Sequence, residues 1–203
     1  DNDLLICWGA IHRNVEKGRT IFYEGDDAHF YYQIISGKIR MSNCKEDGRE
    51  FVQGLYGAGE SFGELPLFDE ETYIATAIAV EESILLRLPK ERFLQLLKDN
   101  VDIHFAFTRL LAQRVRFKSM FSKEIGCSAP EKVIGMLIRK FAADGKDSPN
   151  GVIKVELTRQ QIADMTGLRV ETVIRTIRDM YRKGEILLER GKVYIMDVKG
   201  CLS

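Results

Sequence analysis

Leu157-Thr158-Arg159-Gln160-Gln161-Ile162-Ala163-Asp164-Met165-Thr166-Gly167-Leu168-Arg169-Val170-Glu171-Thr172-Val173-Ile174-Arg175-Thr176-Ile177-Arg178-Asp179-Met180 reads as two short helices hinged at a glycine. Thr158 with Gln161 three residues on is a capping-box pattern, so a helix is expected to open at Arg159. Ile162, Ala163 and Met165 or Thr166 supply its buried side, and small Ala163 lets a second helix pack close. Gly167 can take the positive φ that ends the first helix and turns the chain. Val173, Ile177 and Met180 then fall on one side of the second helix. Arg169, Val170, Glu171, Thr172, Ile174, Arg175 and Arg178 are left facing outward.

That outer face has the chemistry of a major-groove reader. An arginine fork fits guanine O6 and N7, a glutamate accepts from cytosine N4, and an apolar tip such as Val170 can touch a thymine methyl. Thr172 and the first-turn N–H groups can hold phosphates, which sets position without reading sequence, and Thr158 and Gln160 are also expected to touch DNA. The plain alternative is a solvated helix face laced by pairs such as Glu171 with Arg175. Paired helices, hinge glycine and small alanine at this spacing favour a helix-turn-helix.

Working outward, Val152 to Leu157 reads as a strand leading in. After the motif, Ile186-Leu187-Leu188, the turn Glu189 to Lys192, and Val193 to Met196 form a hairpin. This is a wing, whose Arg190 and Lys192 can touch phosphate. Upstream, residues 144–151 are a loop, Pro130-Glu131 opens a helix with Val133, Ile134, Leu137, Ile138 and Phe141 inward, and residues 126–130 form a hinge. A longer helix is expected from Val101 to about Glu124. Phe107, Leu110, Arg114, Phe117, Phe121 and Glu124 follow the a and d spacing of a two-stranded coiled coil, widened by Leu111 and Met120. Packing on its own barrel is the alternative; dimerisation would present two reading helices to two half-sites.

Residues 11 to 88 alternate short apolar runs with glycine and acidic turns, the pattern of an all-β sandwich or barrel. Asp47-Gly48 is expected to be a hairpin turn. Pro89 begins a helix. A metal-dependent cupin enzyme would need clustered ligands, and this half offers only His12 and His29.

At 203 residues the chain has room for two modest domains. Its net charge is zero, yet residues 1–97 hold 10 Lys and Arg against 17 Asp and Glu, and residues 98–203 hold 20 against 13. The halves carry minus 7 and plus 7, so the back half is the one expected to meet a polyanion. Cys7, Cys44, Cys127 and Cys201 have no clustered spacing, which fits a reducing cytoplasm rather than a disulfide framework. No apolar run reaches the length of a membrane span, and no signal peptide is visible.

TRQQIADMTGLRVETVIRTIRDM resembles the DNA-binding motif of the CRP/FNR family of bacterial transcription regulators, the cyclic-AMP receptor protein and its FNR relatives. Tyr32-Gln33-Ile34-Ile35-Ser36-Gly37-Lys38-Ile39 is similar to that family's barrel signature, so the resemblance covers nearly the whole chain. It implies an α+β fold with an N-terminal double-stranded β-helix (a cupin-like jelly roll), a long dimerisation helix and a C-terminal winged helix-turn-helix. The implied divisions are an effector-sensing barrel at 1–97, the helix at 98–125 and the DNA-binding domain at 126–203. Implied partners are double-stranded DNA, a second copy of the chain, RNA polymerase and a small-molecule effector, with no membrane. Val170, Glu171, Ile174 and Arg175 fall on the base-reading positions. Val-Glu with Arg four residues after the Glu is closer to the FNR-like subgroup.

Phe62-Gly63-Glu64-Leu65-Pro66-Leu67-Phe68 with Tyr73-Ile74-Ala75-Thr76-Ala77 resembles the family's phosphate-binding cassette. There the glycine turn binds the anion, the Glu takes the ribose hydroxyl, and a later Arg pairs with the cyclic phosphate. Tyr73 stands in the place of that Arg, and Ile74 where a small residue belongs. Losing the paired charge should cost several kcal/mol for a buried anion, so a ligand other than cyclic AMP is expected. The implied pocket is Gly63, Glu64, Leu65, Tyr73 and Ile74, with Arg114, Phe117 and Phe121 from the helix; a plain barrel turn is the alternative for Gly63 to Leu65. No cofactor follows from the residues. FNR's cysteine cluster is missing, which speaks against an iron-sulfur cluster. A haem sensor is the rival within the family, with His12, His29, His104 and Cys44 as candidate ligands. A cyclic-nucleotide module serving another protein is a rival from another class.

Overall fold

The computed structural model describes residues 2–44, 50–143 and 152–196. The expected turn at Asp47-Gly48, the loop at 144–151 and Cys201 lie outside them. The chain divides into two compact units, Asp1–Leu111 and Ala112–Ser203.

The first unit holds α1 (Asn2–Cys7), β1 (Ile11–Val15), β2 (Thr20–Phe22), β3 (Phe30–Ser36), β4 (Ile39–Cys44), β5 (Glu50–Tyr56), β6 (Ser61–Phe62), α2 (Pro66–Asp69), β7 (Thr76–Ala79), β8 (Ser83–Pro89) and α3 (Lys90–Asp99). The strands form two four-stranded antiparallel sheets, ordered β1-β8-β3-β6 and β2-β7-β4-β5. Apart from β4 and β5, which pair with each other, sequential strands alternate between the sheets, which is the jelly-roll arrangement expected. Period-two alternation explains it: in β3, Tyr32 and Ile34 are buried on one face and Tyr31 on the other. Ile34, Leu85 and Phe62 from one sheet and Ile39, Ala77 and Ala79 from the other belong to a single core cluster.

The outer face of the first sheet is covered by helices. Tyr31 stacks on Phe93 of α3 at 4.1 Å, and Phe107 meets Phe93 edge-on at 5.3 Å. Phe107 belongs to α4 (Val101–Cys127), which continues into the second unit. Here the expected seam is corrected. Phe107 is part of the barrel core, with Leu110 and Leu111 packed against it. A coiled-coil seam through those residues would have to strip the barrel of its cover. The largest apolar side chains of an amphipathic helix bury against the nearest apolar surface, which here is the helix's own chain. The opposite face carries Val101, Phe105, Thr108, Ala112, Val115, Ser119 and Ser122, all exposed and spaced 4, 3, 4, 3, 4 and 3.

The second unit adds α5 (Pro130–Ala143), β9 (Val152–Val155), α6 (Arg159–Thr166), α7 (Val170–Arg182), β10 (Leu187–Glu189) and β11 (Lys192–Met196). The strands pair antiparallel in the order β10-β11-β9. α5 buries Val133, Ile134, Leu137 and Ile138 and packs on α6 and α7. The hinge is shorter than expected. α4 runs to Cys127, leaving only Ser128 and Ala129 before Pro130. The Ser128 amide donates to the Glu124 carbonyl at 2.9 Å and its hydroxyl to the Glu124 carboxylate, holding the last turn together. Among the described residues no helix is long and apolar enough to cross a membrane.

Candidate nucleic-acid interface and effector site

The α6–α7 pair is built as its sequence requires. The Thr158 hydroxyl accepts from the Gln161 amide at 3.1 Å, and the Gln161 side chain accepts from the Thr158 amide at 2.9 Å. Gly167 has φ +72°, and its amide donates to the Ala163 carbonyl at 2.8 Å. Thr166 strengthens this turn in a way spacing alone does not reveal. Buried, its hydroxyl donates to the Ile162 carbonyl at 2.7 Å and accepts from the Leu168 amide at 3.3 Å. The hinge angle is therefore fixed by side chain as well as by backbone.

α7 buries Val173, Ile177 and Met180. Arg169, Glu171, Arg175 and Arg178 are exposed, and Val170, Thr172 and Ile174 are half-buried beside them. No ion pair joins Glu171 to Arg175 among the described residues. The laced-face alternative thus loses its main prop, and the guanidinium groups remain available to another partner. Arg169 occupies the N-cap in an extended conformation with no side-chain cap, so the first-turn N–H groups have no capping acceptor. A helix N-terminus in that state is suited to a phosphate oxygen. Thr158 uses its oxygen as the cap and keeps its hydroxyl proton to donate. Gln160 is exposed and bonds Asp164 at 2.7 Å.

At the wing, Arg190 and Gly191 turn with φ +47° and +77°, and Lys192 is exposed. Arg159 ties this turn to the start of α6: its Nη2 donates to the Gly191 carbonyl at 3.1 Å. Burial lowers the Arg159 pKa from its ordinary value. Sequence reading did not single out Arg159, because a partner 32 residues away leaves no local spacing signal. The residue positions the wing against the reading pair. Lys183 likewise reaches from the end of α7 to Glu131 of α5 at 2.5 Å.

In the barrel, the expected pocket residues separate by burial. Gly63, Glu64 and Tyr73 are buried, whereas Leu65 and Ile74 are exposed. Gly63 has φ +69°, and a Cβ there would come within 2.6 Å of the Phe22 ring and 3.1 Å of Tyr73. Tyr73 lies flat on Phe22, centroids 3.5 Å apart and planes 7° apart. Phe62 and Tyr32 extend the aromatic group, with Phe22–Phe62 at 6.0 Å and Tyr32–Phe62 at 5.5 Å. Burial pushes the Tyr73 and Tyr32 hydroxyls above their ordinary pKa, so both are neutral donors over the working range. The position that the sequence resemblance assigns to a phosphate-pairing cation thus holds a neutral ring in an aromatic stack. Arg114, Phe117 and Phe121 belong to the second unit. There Phe117 stacks on Phe121 at 5.6 Å and carries the Lys140 ammonium over its face at 5.1 Å.

The candidate haem ligands are scattered over β1 (His12), the approach to β3 (His29), the end of β4 (Cys44) and α4 (His104). All four are exposed. A haem needs an axial ligand inside an apolar crevice, so these residues do not fit one. Among the described residues no group of His, Cys, Asp and Glu could hold a metal ion.

Comparison with known proteins fits this geometry. Residues 12–100 match the cyclic nucleotide-binding domain family, and residues 131–200 match the Crp-like helix-turn-helix domain family. The CRP-like cAMP-activated global transcriptional regulator of Mycobacterium tuberculosis is 29% identical over 184 residues, spanning 89% of this chain and 82% of that protein. The cyclic AMP receptor protein of Thermus thermophilus is 28% identical over 181 residues, with the same coverage of 89% and 82%. In fold, the structure of FixK2 from Bradyrhizobium japonicum superposes with a TM-score of 0.79 over 92% of each chain at 18% identity.

Proposed function

The chain belongs to the CRP/FNR family of DNA-binding transcription regulators, and on that premise we propose that it reads a palindromic site as a homodimer under control of a small-molecule effector other than cyclic AMP. The reading is carried by the outward face of α7, where Arg169, Glu171, Arg175 and Arg178 are exposed with no ion pair joining Glu171 to Arg175. Base edges would meet Val170, Glu171, Ile174 and Arg175. Phosphates would meet Thr158, Gln160, Thr172, Arg178 and Lys192.

Three features support the finer points. The exposed stripe from Val101 to Ser122 on α4 offers a second copy an uninterrupted heptad face, with Val101 60%, Phe105 67% and Val115 63% exposed. Two-fold pairing would set two reading helices one helical turn apart. The Tyr73–Phe22 stack replaces the cation a cyclic phosphate needs. On this reading, sensing is assigned to 1–97, dimerisation to 98–125 and DNA binding to 126–203. The M. tuberculosis relative's printed name describes a transcriptional regulator, and the same role here would bring contact with RNA polymerase in a cytoplasmic setting, with no enzymatic step.

Footprinting on a library of palindromic duplexes, with and without cyclic AMP, tests the proposal. Protection of a two-fold symmetric site that cyclic AMP leaves unchanged is the expected result. Protection of a single half-site, or a strong cyclic AMP response, would overturn the corresponding part.

A further inference from the structure

Arg13 on β1 and Arg87 on β8 have no carboxylate partner among the described residues. Arg87 stands opposite Ile11 on one side and Tyr32 on the other, and Arg13 stands opposite Leu85, two residues from Arg87 along β8. Cross-strand partners share a face, and diagonal neighbours on it lie within about 7–8 Å of each other. The two guanidinium groups therefore project from one face of one sheet. Two like charges so placed repel, and an anion between them would offset that repulsion.

The surroundings of this pair do not neutralise it. Tyr32 is the cross-strand partner of Arg87, and its hydroxyl feels the charges of both Arg13 and Arg87. Arg87 rests over the Phe30 ring at 4.9 Å. Its Nε is buried and has no hydrogen-bond partner among the described residues, a state that costs free energy until an acceptor arrives. Both arginines are only half-buried, so a ligand can reach them. Ile11, beside Arg87, is 52% exposed.

We propose that Arg13, Arg87 and the Tyr32 hydroxyl form an anion site, flanked by Phe30 and Ile11, that takes the carboxylate of a small aromatic acid. The assignment rests on the effector-controlled reading above and uses residues other than the Gly63–Glu64 turn. Guanidinium forks match a planar carboxylate bidentately. Phe30 and Ile11 give a ring attached to that carboxylate an apolar surface to cover. A bare oxyanion would use the cations and leave that surface idle.

Calorimetric titration of the full chain with benzoate, with acetate and inorganic phosphate as comparators, tests this. Benzoate should bind saturably, one per chain, and more tightly than acetate. Arg87→Gln should weaken benzoate about tenfold or more, and Arg87→Lys, which keeps the charge but loses the fork, should recover only part of the loss. Arg13→Gln should weaken benzoate in the same direction and serves if Arg87→Gln does not fold. No saturable benzoate binding, phosphate binding tighter than benzoate, or benzoate affinity unaffected in a folded glutamine variant each overturns the assignment. Anisotropy of a labelled operator duplex separates the two readings. Benzoate that binds the native chain but leaves its DNA affinity unchanged upholds the site and removes its regulatory role. DNA affinity that responds to another small molecule, with no benzoate binding, does the reverse.

Discussion

The outward face of α7, proposed to read DNA, and the buried turn from Gly63 to Tyr73 in the barrel are built on opposite rules. On α7, Arg169, Glu171, Arg175 and Arg178 point into solvent. At the barrel turn Gly63, Phe22 and Tyr73 touch so closely that a single added methyl group would collide. A surface that reads a partner keeps its donors uncommitted, whereas a sensing interior gains its specificity from what already fills it. Substitutions should therefore separate cleanly: α7 variants should change recognition without changing stability, and barrel-turn variants the reverse.

The contrast breaks most visibly if one reading helix suffices alone. Val115 lies in the middle of the exposed α4 stripe, so Val115→Asp should place a charge in the seam of any dimer. Sedimentation should report a single subunit, and affinity for a two-fold site should fall by about 10²- to 10⁴-fold as avidity is lost. A variant that stays dimeric, or a monomer that keeps full affinity, would mean that the seam is elsewhere.

Gly63→Ala tests the inward rule. The left-handed φ of +69° and the 2.6 Å approach to Phe22 act together. Strain and overpacking should cost about 2–4 kcal/mol of barrel stability, read by chemical denaturation. Base preference should be untouched. An unchanged denaturation midpoint would show that the turn relaxes freely and that the aromatic stack is loose.

Arg175→Ala and Lys192→Ala sharpen the outward rule from two sides. Removing the Arg175 fork should cost about 1–3 kcal/mol on the preferred site and relax preference at one base position, with the melting temperature unchanged. Removing Lys192 should weaken all sequences alike and reduce the salt slope of binding by about 1. Selection from a randomised duplex library, repeated at two salt concentrations, distinguishes the two.

The same difference explains what could be read from the residues in advance. The capping box at Thr158, the turn at Gly167 and the outward set on α7 follow from local spacing, and local spacing is written in sequence. The barrel alternation was legible for the same reason. Three things were not. The α4 stripe through Phe107 has coiled-coil spacing, yet the aromatic cleft of Tyr31 and Phe93 claims it. Spacing fixes which residues share a helix face but not which neighbour that face meets. Arg159 holds the wing from 32 residues away. Arg13 and Arg87 come together only because β1 pairs with β8 across some seventy residues of chain.

The smallest expected effect concerns the Glu124–Ser128 junction, where α4 hands over to α5. The Ser128 hydroxyl, then Lys132 at 2.9 Å, hold the Glu124 carboxyl below its ordinary value of 4.5. A carboxyl whose folded pKa is depressed stabilises the fold above its unfolded pKa and loses that contribution as pH falls through the folded value. Stability of the native protein should therefore decline below about pH 4.5 more steeply than that of Glu124→Gln, which has no proton to take up. The two curves should run parallel at neutral pH, where the carboxylate is already ionised. Carboxyl titration followed by NMR checks the same point at the residue itself. Because Glu124 lies on the inward side of α4, opposite the exposed stripe, the glutamine variant should leave dimerisation and base preference as they are. A change in either would mean that this junction, and not only the α4 face, sets how the reading helices are presented.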